Sequence, residues 1–419
     1  MRELSRNAQE RRRPAAALRR GASENAGDRI IPTIQSFGGR VCMRDTILKA
    51  VLNAAAAAVL AVCAVQARAD FAAGRSAYAR GDFVTAAREF TTAAQGGLAQ
   101  AQNDLGVLYE RGQGVKQDFA AAASWYRRAA DQGYLQAQTN LGYLYESGKG
   151  MAQDYAAALQ LYRRAAERGW PQAQNNLGGM YERGLGVARD YAVAMEWYRK
   201  AAAQGLAQAE TNVGYMYETG RGVPASDAEA MNWYQKAAAK NYPQAQNNIG
   251  ALYERGRGVQ QSSPTAVIWY RKAVDQGLAQ AQTNLGYLYA SGRGVPRDDV
   301  MAVRLYRAAA EQGYAQAQTN LGFMYAQGRG IARDDRQAAA LYRKAAEQAL
   351  PQGMTNLGFM YETGRGVERD VNQALFWYQK AGEAGYRPAA QRLVQIYTKG
   401  ELGENADIGR ARLWADRAQ

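Results

Sequence analysis

The 419-residue chain contains no histidine, the side chain that most often serves as a general base or metal ligand near neutral pH. Its two cysteines, Cys42 and Cys63, both lie within the first 69 residues, so the remainder can form no disulfide. No Ser-x-x-Lys sequence occurs, and the carboxylates are interpreted mostly as helix caps or solvent-facing partners of basic side chains. These absences predict a protein that is not an enzyme and that binds no cofactor or metal.

Acidic residues are fewer than basic ones, 38 against 52, and the imbalance is uneven along the chain. Residues 1–69 hold 12 basic and five acidic residues. Residues 70–419 therefore hold 40 basic and 33 acidic residues. The body of the chain is therefore only mildly basic, and it has no basic helix interleaved with aromatic residues. We expect no nucleic-acid partner.

Long apolar runs are also scarce, and the one near the N-terminus is short. Ala50–Val65 spans 16 residues, fewer than a bilayer-crossing helix needs. The run follows a short charged segment that starts at Met43 and precedes the small residues Ala67 and Ala69. This pattern predicts a signal peptide over residues 43–69, a periplasmic or secreted protein, and no transmembrane domain after cleavage.

Residues 1–42 contain nine arginines and no periodic apolar pattern. Two interpretations remain open. In the first, Met43 is the true start, and residues 1–42 are a disordered or mis-annotated N-terminal extension. In the second, residues 1–69 remain as a signal anchor with a basic cytoplasmic tail. Both place residues 70–419 outside the cytoplasm, because positive charge stays inside.

A segment Leu-Gly-x-x-Tyr recurs every 36 residues across eight units. In one unit, Ala137, Leu141 and Leu144 share one face of a helix, and Gly142 on that face allows a neighbouring helix to approach closely. A second helix follows in each unit, with an alanine–aromatic–tyrosine–alanine face. The repeats begin their segment at Leu105, Leu141, Leu177, Val213, Ile249, Leu285, Leu321 and Leu357.

Capping residues mark the ends of the second helices. We expect each to begin at an N-cap residue and to close at a glycine in the left-handed conformation. Asn241 replaces one of these glycines, and Ala349 replaces another, where we expect a frayed or re-routed turn. The N-cap residues are Asp118, Asp154, Asp190, Ser226, Ser262, Asp298, Asp334 and Asp370.

No single helix pair can bury its apolar face alone, so the units must stack. We therefore predict an all-α fold, a right-handed α-solenoid of tandem antiparallel helix pairs. Residues 70–97 form an N-terminal capping pair, residues 98–385 form the eight repeats, and residues 386–419 form a C-terminal capping repeat.

The run Leu-Gly-Tyr-Leu-Tyr-Glu-Ser-Gly-Lys-Gly over residues 141–150, followed by Asp154, Ala158 and Tyr162, resembles the Sel-one-like repeat (SLR), a relative of the tetratricopeptide repeat (TPR). The resemblance covers residues 70–419 and implies an SLR/TPR-like superhelix. It also implies an adaptor, since exported bacterial members typically bind proteins in envelope signalling, secretion or host contact. Some cysteine-rich relatives carry a β-lactamase-like label, but these repeats contain no cysteine.

The repeats alternate between two kinds, which gives a 72-residue period. By analogy with TPR arrays, the alternating positions face a concave groove, where aromatic side chains would anchor a protein or peptide of the envelope. The alternative is that large and small residues interlock between neighbouring first helices. The predicted groove residues are Tyr143, Tyr215, Tyr287, Phe323 and Phe359, with Arg111, Arg183 and Arg255 between them.

Two further columns each allow two interpretations. Seven asparagines, at Asn140, Asn176, Asn212, Asn248, Asn284, Asn320 and Asn356, are expected to bond the backbone of a neighbouring helix, with a ligand ladder as the alternative. Arginines of the loops could form a rim that binds peptidoglycan or another anionic polysaccharide, or a solvated rim partly neutralised by nearby aspartates. These are Arg221, Arg257, Arg293, Arg329 and Arg365.

Overall fold

The computed structural model describes the backbone of residues 38–418, with side chains from residue 46 onward except at 59, 60, 63 and 64. The chain divides into two compact units, Met1–Cys63 and Ala64–Gln419. The described part of the first unit is helical from Gly38 onward. The predicted basic extension over residues 1–42 lies almost wholly outside the described residues. Among the described helices, none has the length and apolar character that crossing a bilayer requires.

Within residues 38–418 every regular element is an α-helix and no strand occurs. Helix α1 spans Gly38–Ala79. The first helices of the successive pairs are α3 (Ala99–Arg111), α5 (Leu135–Ser147), α7 (Pro171–Arg183), α9 (Ala207–Thr219), α11 (Pro243–Arg255), α13 (Ala279–Ser291), α15 (Ala315–Gln327), α17 (Pro351–Thr363) and α19 (Arg387–Lys399). The second helices are α2 (Phe83–Gln95), α4 (Phe119–Asp131), α6 (Tyr155–Glu167), α8 (Tyr191–Ala203), α10 (Asp227–Ala239), α12 (Ser263–Val274), α14 (Asp299–Glu311), α16 (Asp335–Glu347), α18 (Val371–Glu383) and α20 (Ile408–Arg417).

Each helix of the second unit packs on the helix before it and the helix after it. The apolar face of every pair is covered by its neighbours, so the buried clusters form a continuous series along the stack. The predicted all-α, right-handed α-solenoid of tandem antiparallel helix pairs is confirmed.

A glycine–tyrosine contact joins the two helices of each pair. The ring of Tyr162 lies against Gly142, where a Cβ atom would stand 2.7 Å from the ring. Leu141, Leu144 and Tyr162 are all buried around this contact. The predicted close approach at Gly142 is confirmed.

The predicted N-caps are confirmed in all eight repeats, where each Asp or Ser side chain accepts a hydrogen bond from the backbone of the first helical turn. For example, the carboxylate of Asp118 accepts from the N–H of Ala121 at 2.9 Å. Asn241 adopts the left-handed conformation with φ of 60°.

The expected disruption at Ala349 is wrong. Ala349 adopts φ of 60° and donates its N–H to the carbonyl of Ala346 at 2.9 Å, as Gly313 does to Ala310 at 3.0 Å. A left-handed alanine costs roughly 1–2 kcal/mol. The turn keeps its path because the helices on both sides, α16 and α17, are fixed by packing.

The ends of the second unit differ from the repeats. At the N-terminal end, helix α1 continues through the predicted cleavage position after Ala69, and Ala67 is buried beside Gly96. The signal peptide stays a prediction. At the C-terminal end, Ala411 and Trp414 of α20 close the core.

Candidate functional site

First helices of successive pairs contact one another directly, at α5–α7, α13–α15 and α15–α17. Among the second helices of the described residues, comparable contact occurs at the C-terminal pair α18–α20. The first helices of neighbouring repeats thus lie side by side along the second unit. We call their exposed surface the first-helix face.

The five predicted aromatic anchors all lie exposed on this face. Their exposed fractions range from 38% to 48%, so each ring is partly covered by its neighbours and partly open to solvent. A basic residue six positions later covers each ring, within 5.1–6.0 Å of the ring centre. The pairs are Tyr143–Lys149, Tyr215–Arg221, Tyr287–Arg293, Phe323–Arg329 and Phe359–Arg365. The predicted groove and the predicted rim therefore share one surface.

The three arginines expected between the anchors have different surroundings. Arg111 donates to the hydroxyl of Tyr78 at 3.2 Å, near the N-terminal end. Arg183 is tied to Glu146 of the preceding repeat at 2.7 Å. Arg255 is exposed and lines a cavity beside Tyr287.

The five loop arginines all make intramolecular ion pairs. Three of them reach a glutamate 39 residues earlier: Arg221 to Glu182 at 3.1 Å, Arg257 to Glu218 at 2.9 Å, and Arg293 to Glu254 at 3.3 Å. The other two bind aspartates 30 residues earlier, Arg329 to Asp299 at 2.6 Å and Arg365 to Asp335 at 2.7 Å. Their charge is thus partly neutralised, and their side chains join adjacent repeats. Anionic-polymer binding stays a prediction.

A column of glutamates beneath the face was missed by the sequence analysis, which assigned carboxylates to caps and solvent. In six repeats the glutamate that follows the Leu-Gly-x-x-Tyr segment accepts a hydrogen bond from the buried tyrosine 16 residues later. The distances are 2.6–2.8 Å for Tyr126–Glu110, Tyr162–Glu146, Tyr198–Glu182, Tyr234–Glu218, Tyr270–Glu254 and Tyr378–Glu362. Burial is the main cause that raises the pKa of these tyrosines well above 10, so each stays a neutral donor.

Three of the seven asparagines in the column make a different bond from the one expected. Asn212 of one repeat donates to the side chain of Asn175 on the preceding first helix at 2.8 Å, not to a backbone carbonyl. The same bond joins Asn140 to Asn103 and Asn284 to Asn247. These bonds occur at every second interface, because threonine replaces the acceptor asparagine in alternate repeats. The 72-residue period of the sequence therefore has a structural counterpart, the hydrogen bond between asparagines of neighbouring first helices.

Cavities follow the first-helix face, and the anchors line them. Near Tyr143 and Arg183 a cavity of about 260 Å³ opens, and one of about 340 Å³ lies between Arg255 and Tyr287. A third, of about 540 Å³, lies between the rings of Tyr287 and Phe323. We call this row of cavities the first-helix groove. Its described residues include no group of three or more side chains arranged to hold a metal.

The fold and this face define a repeat scaffold of stacked helix pairs whose first helices lie side by side. The family model of the Sel1 repeat matches eight consecutive segments, 99–134, 135–170, 171–206, 207–242, 243–278, 279–314, 315–350 and 351–386. The chain therefore belongs to the Sel1 repeat family.

Solved structures include similar proteins. A protective antigen of uropathogenic Escherichia coli that displays an SLR fold is 34% identical, over 84% of each chain, with a TM-score of 0.48. A Sel1 repeat protein from Oxalobacter formigenes is 32% identical, over 59% of this chain and 96% of its own, with a TM-score of 0.53. No protein of curated function matches the chain.

Proposed function

We propose that this protein is a non-enzymatic scaffold of the periplasm, or a secreted one, that holds a protein or peptide partner in its first-helix groove. In this role it serves as an adaptor in envelope signalling, secretion or host contact. The single observation that supports the proposal most is the row of exposed aromatic rings on the first-helix face. Exposed apolar side chains that line up as a patch mark interaction sites, whereas single ones scattered over a surface are ordinary.

The chemistry of the groove supports a protein or peptide partner. Aromatic rings and arginines contribute most to protein interfaces, and here each ring is held by a cation from its own loop. Amide side chains between the rings, such as Asn176 and Gln208 near Tyr143, can pair with an extended backbone. The absence of histidine and of Ser-x-x-Lys supports a role without catalysis.

The proposal is tested by replacing Tyr143, Tyr215 and Tyr287 with alanine. The immobilised protein is used to capture partners from envelope extract, and the affinity of each captured partner is then measured. A central tyrosine contributes roughly 2 kcal/mol, so the triple variant should bind at least about tenfold more weakly.

A matched control variant replaces three exposed apolar residues of the second helices, Ile268, Val300 and Phe376, with alanine. This variant removes similar apolar surface away from the groove and should bind as the wild type does. Equal affinity of the groove variant and the control for every partner would refute the proposal. Hydrolysis of nitrocefin by the purified protein would refute its non-enzymatic part.

A further inference from the structure

The glutamate column has two gaps. In repeats six and seven of the eight, alanine occupies the glutamate position, at Ala290 and Ala326. The tyrosines that would bind these glutamates are retained as Tyr306 and Tyr342, and both are buried. The arginines 39 residues later are also retained, as Arg329 and Arg365. Each gap therefore keeps the hydrogen-bond donors of a carboxylate site and lacks only the carboxylate.

Arg257 shows how a filled position is built. Its Nη2 donates to the carbonyl of Glu218 at 2.9 Å and to Asp227 at 2.6 Å, and its Nε donates to Asp227 at 3.2 Å. Its Nη1 donates to the carboxylate of Glu218 at 2.9 Å. The hydroxyl of Tyr234 donates to the same carboxylate at 2.7 Å.

Arg329 repeats this arrangement around the first gap. Its Nη2 donates to the carbonyl of Ala290 at 2.9 Å and to Asp299 at 2.6 Å, and its Nε donates to Asp299 at 3.3 Å. Its Nη1, the atom that would reach the glutamate, has no hydrogen-bond partner within the described residues. Arg365 is bound in the same way by the carbonyl of Ala326 and by Asp335.

The first gap opens into a cavity of the first-helix groove. Ala290, Tyr306 and Arg329 line the cavity of about 540 Å³, between the exposed rings of Tyr287 and Phe323. The neutral side chains of Asn320 and Gln352 line it too, and no acidic residue does. The cavity therefore combines apolar walls with donors that lack an anion.

The local charge favours an acidic occupant. Asp299 is the one acidic partner of Arg329 and is also bound by Arg297 at 2.7 Å, so two cations share one carboxylate. The second gap repeats this imbalance, since Arg333 and Arg365 share Asp335. In the filled repeat, by contrast, Arg257 lies between two carboxylates, those of Glu218 and Asp227.

We propose that these two gaps bind carboxylates of the partner peptide, each in the place that a glutamate of the chain occupies in six other repeats. The inference rests on the proposed function and specifies the chemistry of the partner. The two gaps lie on adjacent first helices in contact, about 10 Å apart. A peptide in the polyproline II conformation rises about 3.1 Å per residue and completes a turn in three residues, so acidic side chains three positions apart lie on one face at about that distance.

The test uses a fluorescein-labelled peptide with the sequence Leu-Glu-Ala-Ala-Glu-Leu, amidated at its C-terminus. Its counterpart has glutamine in place of both glutamates. Fluorescence anisotropy should show the glutamate peptide binding at least about tenfold more tightly, because hydrogen bonds to ionised groups are the strong ones. The glutamine peptide with a free C-terminus tests whether a terminal carboxylate can replace a glutamate side chain. Tighter binding of this peptide than of its amidated form would also support the site.

The double variant Ala290→Glu, Ala326→Glu restores the column and should reduce binding of the glutamate peptide to that of the glutamine peptide. Its melting temperature should not fall, since each new glutamate meets the donors that it has in other repeats. Ala340→Glu adds a charge at an exposed position of α16 and should leave binding unchanged.

Equal binding of the two amidated peptides, or unchanged affinity in the double variant, would overturn the inference, as would binding of neither peptide. If polygalacturonate, a polymer of uronic acids, bound more tightly than the glutamate peptide, the two gaps would be assigned to a polysaccharide and not to a peptide. Loss of captured partners in the tyrosine variant but not in the double variant would leave the proposed function standing without these sites.

Discussion

The ring of Tyr198 lies directly over Gly178, so closely that a Cβ atom on the glycine would stand 2.8 Å from the ring. The next residue, Gly179, faces the groove, where the nearest atoms to such a Cβ belong to the far ends of Arg183 and Tyr198, at 3.4 and 3.6 Å. Two consecutive glycines of one helix thus meet opposite steric conditions.

Substitution of these two glycines by alanine should therefore have opposite effects. Gly178→Ala forces the Tyr198 ring away and should lower the free energy of unfolding by about 1–3 kcal/mol. Gly179→Ala should raise it by roughly 0.5–1 kcal/mol, because alanine favours the helix. Chemical denaturation of both variants measures the difference, and a loss of equal size in both would show that the ring contact does not determine the spacing of the helices.

Replacing Ala349 with glycine should raise the free energy of unfolding. Its φ of 60° is strained for alanine and relaxed for glycine. After the larger backbone entropy of glycine in the unfolded chain is allowed for, Ala349→Gly should stabilise the protein by up to about 1 kcal/mol. The reverse change at the equivalent position, Gly313→Ala, serves as the matched variant and should destabilise by a similar amount in thermal unfolding. A destabilised Ala349→Gly would indicate that the turn is not strained.

Stability should fall in acid partly through Asp299. Hydrogen bonds from Arg329 and Arg297 lower the pKa of Asp299 from 3.8 to about 2. A carboxyl with a lowered pKa stabilises the fold above the unfolded value, and this contribution is lost as the pH falls from about 4 to 2. Since the site is near the surface, we expect about 1 kcal/mol. Asp299→Asn should be less stable than the wild type at pH 5.5 and nearly equal at pH 1.5, below both pKa values. A constant difference across thermal unfolding at both pH values would contradict this assignment.

One buried pair differs from its equivalents in charge. Glu210, almost fully buried, binds Lys240 at 2.6 Å, whereas the same positions in other repeats hold glutamine pairs such as Gln174–Gln204 at 2.8 Å. Lys240→Gln leaves the buried carboxylate without its cation and should cost about 1–3 kcal/mol. Glu210→Gln leaves a half-exposed ammonium group that water can solvate, so it should cost less.

The double variant with glutamine at both positions should recover most of that loss, because it recreates the neighbouring repeats' pair. Equilibrium denaturation of the two single variants and the double variant measures the coupling. If the two single losses simply added, the pair would not act as a unit.

Much of the fold follows from the sequence because its causes are local and repeated. Apolar residues at helical spacing, N-cap residues before each second helix and glycines after it specify one helix pair. Eight copies at constant spacing leave stacking as the one way to bury the apolar faces. The exposed ring of Tyr143 also belongs to a recognisable column, although its exposure depends on the neighbouring helices.

The tertiary structure decided which side chains of different repeats meet. Arg257 and Glu218 are 39 residues apart, and no local rule places a loop arginine beneath the groove of the previous repeat. The substitution of alanine at Ala290 is visible in the sequence, but its consequence is not. The alanine leaves a carboxylate site empty only because stacking brings Tyr306 and Arg329 to the same cavity, and that proximity is a property of the tertiary structure. The sequence alone thus determined the helix pair and its repetition, and packing between repeats determined the charge and shape of the groove.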